Sequence, residues 1–82
     1  MWISNVLIVV NRNNADRNGL LDIAAAVSDT GTTVVNVDED HFVIEAAAPS
    51  AVVPIIMAME GVTYVRSVFS YLVDSPTPAK AA

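Results

Sequence analysis

Thr30-Gly31-Thr32-Thr33-Val34-Val35 and Glu60-Gly61-Val62-Thr63-Tyr64-Val65 decide how this chain folds. In each, a glycine closes an amphipathic run and a Thr/Val-rich run starts at once. Glycine ends helices because it takes the left-handed backbone without a Cβ clash. The β-branched residues that follow suit a pleated strand. Outward from each glycine the order is strand, helix, glycine stop, strand. Two such halves joined by a tight hairpin give β-α-β-β-α-β, a split-βαβ sandwich.

Upstream of Gly31, Trp2 to Val10 predicts the first strand. Val6, Ile8 and Val10 alternate with Ile3, Leu7 and Val9, so both faces are apolar and the strand is expected at the centre of the sheet. Asn11 to Asn14 is a polar loop in which Asn13 and Asn14 are N-cap candidates. A helix is predicted from about Asp16 to Asp29, with Leu20, Ile23, Ala24 and Val27 as its apolar stripe. Thr32 to Val37 and His41 to Ala47 read as a hairpin turning at Asp38-Glu39-Asp40, with Phe42, Ile44 and Ala46 on one face. Upstream of Gly61, Ser50 is the expected cap of a second helix. Pro54 sits in its first turn, and Val52, Ile55, Ile56 and Met59 form its stripe. The last strand is predicted from about Thr63 to Val73. One parity carries Val65, Phe69, Tyr71 and Val73; the other carries Tyr64, Arg66, Val68 and Leu72.

These elements predict one ferredoxin-like α+β domain over residues 1–74. Its four-stranded antiparallel sheet is expected in the order 4-1-3-2, with two helices on one face. Ser75 to Ala82 reads as a disordered tail. Eighty-two residues make one domain. With 54% hydrophobic residues and a mean hydropathy of +0.50, so short a chain holds more apolar surface than it can bury alone. A homodimer is therefore expected, formed by the bare sheet face or an edge strand.

The net charge is −5, and the cations Arg12, Arg17, Arg66 and Lys80 do not cluster. Nucleic acid and anionic membranes are therefore not expected partners. Val6 to Val10 is too short to span a bilayer. Neither a signal peptide nor a transmembrane segment is expected, and a cytoplasmic location follows. The absence of cysteine removes disulfides and thiolate metal sites.

No catalytic site is expected. The single histidine, His41, stands at no motif spacing from Ser28, Ser67 or Ser70, and three glycines cannot form a phosphate loop. Asp38, Glu39, Asp40 and His41 concentrate potential ligands, but four consecutive residues cannot all face one ion. They read as a charged hairpin tip, and no metal or cofactor is expected. Tyr64, Phe69 and Tyr71 on one strand lack the neighbouring basic residues of an RNA-stacking sheet and read as packing residues. Val65, Phe69, Tyr71 and Val73 are the expected protein interface. The best ligand candidate is the loop from Asn11 to Gly19. There Asn11, Asn13, Asn14, Asp16, Arg17, Asn18 and Gly19 gather side-chain amides and charges beside free helix N–H groups.

Asp16-Arg17-Asn18-Gly19-Leu20-Leu21, with Ile23, Ala24, the Gly31 stop and Gly61-Val62-Thr63-Tyr64-Val65, resembles an ACT domain, the ligand-binding regulatory module of amino-acid metabolism. That family commonly has proline where Asn18 stands. The resemblance implies a non-catalytic module that pairs with its own kind and holds a small polar metabolite, such as an amino acid, near Asp16 to Gly19. Gly61-Val62-Thr63-Tyr64-Val65 after a helix and hairpin also resembles the end of subtilisin-propeptide-like inhibitors. That likeness implies a protein-binding sheet face and an inserting tail at Ser70 to Ser75. A small structural or assembly protein is the remaining alternative.

Overall fold

The computed structural model describes residues 1–13 and 17–73. The chain forms β1 (Trp2–Val10), α1 (Arg17–Asp29), β2 (Thr33–Asp38), β3 (Val43–Pro49), a 3₁₀ turn (Ser50–Val52), α2 (Val53–Met57) and β4 (Val62–Leu72). The four strands make one open, fully antiparallel sheet. Counted from the β2 edge, the order is β2-β3-β1-β4. The expected order was counted from the β4 edge. β1 is an inner strand, and the tail predicted beyond Ser75 lies outside the described residues.

The core lies on one face of the sheet. Val6, Ile8 and Val10 of β1 and Ile44, Ala46 and Ala48 of β3 pack there against Leu20, Ala24 and Val27 of α1 and Ile56 of α2. These are the even positions of β1 and β3, so period-2 alternation puts them together. Ile23 completes the α1 stripe at half burial. Val65 and Val62 of β4 also pack against this core.

Gly31 and Gly61 both take the left-handed backbone, at φ 91° each, but only Gly31 closes a helix: α2 already ends at Met57 with Ala58 as its C-cap, and Gly61 turns the chain into β4. At the first, the Thr30 and Gly31 N–H groups donate back to Val27 O and Ser28 O at 3.1 Å, closing the last turn of α1. The second is also a tight packing point. A Cβ on Gly61 would lie 2.8 Å from Cδ1 of Ile23, so glycine is needed there for space as well as for conformation.

Several boundaries differ from expectation. The second helix is only Val53–Met57, preceded by a 3₁₀ turn. Ser50 does not cap it; its hydroxyl lies 2.6 Å from that of Ser4 instead. Ile55, expected in the stripe, is 55% exposed, and Ile56 is the buried member of that helix. A single turn and a half cannot bury a full amphipathic face. β3 begins at Val43 rather than His41, because residues 39–42 form a longer turn in which Phe42 has φ 55°.

The largest difference is in β4. Against β1, its register shifts between Asn5 and Val6 and again between Val9 and Val10. Each shift leaves one extra residue, Val68 and Thr63 respectively, as in a β-bulge. A bulge reverses which face later residues take. Val65 therefore points to the core, opposite Ile8, whereas Phe69 and Tyr71 lie opposite Asn5 and Ile3 on the other face. The expected common face for Val65, Phe69, Tyr71 and Val73 is thus broken at Val68.

Candidate functional site

The second sheet face has no helix over it among the described residues. It can be read in rows across β4, β1 and β3. Tyr64, Val9 and Val43 form one row; Arg66, Leu7 and Glu45 the next. Phe69, Asn5 and Ala47 follow, and then Tyr71, Ile3 and Pro49. Tyr64 and Phe69 are each 54% exposed and Tyr71 is 39% exposed. Phe69 and Tyr71 touch each other, with ring centroids 5.8 Å apart and planes 33° apart. Ile3, Leu7 and Val9 are half-buried along the middle of the face.

Charge on this face is sparse. Arg66 and Glu45 stand on either side of Leu7, both exposed, and neither has an ionic partner among the described residues. Asn5 is half-buried, and its Oδ1 atom is fully covered with no hydrogen-bond partner. A buried amide oxygen left unpaired is unfavourable by about 1–3 kcal/mol. With Arg66 as the one basic residue in these rows, the aromatics here have no basic surround of the kind that tracks phosphates.

The polar loop after β1 is held on two sides as far as it is described. The Asn11 N–H donates to Gly61 O at 2.8 Å, and Asn11 Oδ1 accepts from the Asn13 N–H at 2.9 Å, an Asx turn. Arg12 donates from Nη2 to Asp40 O and lies over the Phe42 ring, 5.2 Å from its centroid. Arg12 thus ties the loop to the hairpin tip. Asn18 is exposed and Gly19 half-buried in the first turn of α1, and Arg17 begins that helix. Asn14 and Asp16 lie outside the described residues.

At the hairpin tip, the residues singled out as possible ligands bind one another. Asp38 Oδ1 accepts from the Asp40 and His41 N–H groups at 3.0 and 3.1 Å, and Asp38 Oδ2 lies 2.9 Å from His41 Nδ1. The His41 side-chain hydrogen bond, then its backbone N–H, holds the Asp38 carboxyl below its usual range. Among the described residues, no group of three His, Cys, Asp or Glu is placed to hold a metal ion.

The interface expected at Val65, Phe69, Tyr71 and Val73 is divided. Phe69 and Tyr71 belong to the open face, and Val65 belongs to the core side. Val73 extends the β1–β4 pairing: its N–H donates to Met1 O at 2.8 Å, and the Met1 ammonium donates to Val73 O at 3.0 Å. Ser70 to Leu72, the start of the proposed inserting tail, are paired strand residues. Sequence reasoning missed Tyr64, Arg66 and Asn5 as face members. Only the bulge at Val68 groups the first two with Phe69, and nothing in the residue pattern signals that bulge.

Among the described residues, no helix is long and apolar enough to cross a membrane. No family model, no curated protein and no solved structure matches this chain.

Proposed function

We propose that the chain is a non-catalytic interaction module whose working form is a homodimer closed by the open sheet face. The observation that carries this reading is the apolar surface that Ile3, Leu7, Val9, Tyr64, Phe69 and Tyr71 form there around Asn5 and Arg66. Burying the exposed half of the three aromatics on both copies removes roughly 600 Å². That is on the order of 15 kcal/mol gross at about 25 cal/mol/Å². Association costs about 4–15 kcal/mol, which offsets most or all of this gain, so the dimer should dissociate in a measurable range. The sheet order, which counted from the other edge is β4-β1-β3-β2, supports reading the fold as a ferredoxin-like sandwich.

The ACT-like reading is second: a regulatory module holding an amino acid or similar metabolite at the Asn11 to Gly19 loop. It is favoured by the anchoring of that loop to Gly61 and the hairpin, which fixes how the chain enters α1. The described part of the loop already satisfies much of its polarity internally, so it ranks below the dimer. Light scattering and sedimentation over a dilution series test the first reading. A monomer at all concentrations up to hundreds of micromolar overturns it. A thermal-shift screen of the amino acids tests the second, since a ligand that favours the native state raises its stability.

A further inference from the structure

We propose that the open face pairs with a second copy of the chain about a two-fold axis that runs along β1 and crosses Leu7. The inference rests on the dimer reading above and adds its register. Such an axis turns every row end for end. What stands on β4 of one copy then lies over β3 of the other, and β1 lies over β1.

The rows are complementary to themselves under that operation. In the central row Arg66 meets the partner's Glu45, and the reciprocal contact repeats it. Both are exposed, and neither has an ionic partner among the described residues. In the neighbouring rows a large β4 side chain meets a smaller β3 one. Phe69 lies over Ala47, Tyr71 over Pro49 and Tyr64 over Val43. Facing sheets need this alternation of size to interdigitate at about 10 Å spacing.

On the axis each residue meets its own copy. Ile3, Leu7 and Val9 form apolar self-contacts. Asn5 meets Asn5, and a primary amide can donate and accept in the same pair. Other axes do not serve as well. One at right angles to the strands through the same row sets Arg66 on Arg66 and Glu45 on Glu45. One displaced to between β1 and β3 buries Glu45 beneath Leu7.

Charge exchange between copies tests this register with the full chain. Glu45→Arg and Arg66→Glu each place two like-charge contacts in the homodimer, and each should raise the dimer dissociation constant at least about tenfold. Mixed one to one, the two variants should form a heterodimer of near wild-type affinity, seen by sedimentation and native mass spectrometry. Mixing restores opposite charges only between copies; within each chain the two positions stay alike. A wild-type dimer whose affinity neither variant changes, or variants that weaken alone and do not rescue each other, overturns the register and leaves the dimer reading standing. A wild-type monomer overturns both. As a second measurement, Leu7→Cys in this cysteine-free chain should crosslink to itself with a short bifunctional thiol reagent, whereas Val35→Cys should not. Equal crosslinking at both positions counts against the axis.

Discussion

Gly61 packs so closely against Ile23 that a Cβ built on it would stand 2.8 Å from the Ile23 Cδ1 atom. Gly31 has the same φ of 91°, but nothing lies within 4 Å of a Cβ there. The two glycines therefore separate conformational strain from steric strain. Gly31→Ala should cost about 1–2 kcal/mol, the penalty of a left-handed alanine. Gly61→Ala should cost roughly 1 kcal/mol more, because Ile23 must also leave its rotamer. Urea unfolding of both variants checks this, and equal losses would refute the steric part.

Ile8 and Leu7 are neighbours on β1 with opposite duties. Ile8 is fully buried between the sheet and both helices. Ile8→Ala should lower stability by about 2–5 kcal/mol at any protein concentration. Leu7 is half-buried on the open face. Leu7→Ala should change the monomer little but flatten the dependence of Tm on concentration. Thermal melts over a dilution series distinguish the two effects.

The Ser4 hydroxyl sits at the centre of a chain, 2.6 Å from Ser50 Oγ and 2.8 Å from Ser70 Oγ. Ser4 is one of the two buried polar residues among those described. Ser4→Ala removes the shared partner of both hydroxyls and should cost about 1–2 kcal/mol. Ser70→Ala should cost less, since Ser70 is exposed and water replaces its bond. Equal losses from the two variants would refute the central place of Ser4 in this chain of hydroxyls.

Asp38 makes the hairpin tip pH-sensitive on the acid side. Its carboxyl is held below the usual aspartate range, chiefly by the side-chain hydrogen bond with His41. A lowered folded-state pKa contributes stability above the unfolded value and loses it as pH falls through the folded one. The stability gap between wild type and Asp38→Ala should therefore be full near neutrality. It should close in strong acid, below the ordinary aspartate range. The gap is expected to be small, because the pair is exposed. Paired melts at the two pH values check the sign.

The sequence by itself determined the elements and the buried face of α1. Gly31 marks the stop of α1, because a residue without Cβ takes φ 91° freely, whereas α2 ends at Met57 with Ala58 as its C-cap and Gly61, at the same φ, turns the chain into β4. The spacing of Leu20, Ala24 and Val27 already selects the buried face of α1, since the helix period is a local property of the chain, whereas β1 is apolar on both alternating sets and only the fold assigns Val6, Ile8 and Val10 to the core. Tertiary structure alone decided the open face of the sheet. The bulge at Val68 arises from how β4 registers against β1, seventy residues apart at their outer ends, and it moves Val65 inward and groups Tyr64 and Arg66 with Phe69. The same holds for Ser50, whose hydroxyl serves Ser4 rather than a helix end. Strand pairing is a non-local choice, and a one-residue shift in it reverses every side chain that follows. The periodicity within one strand therefore cannot say which neighbours its residues will have.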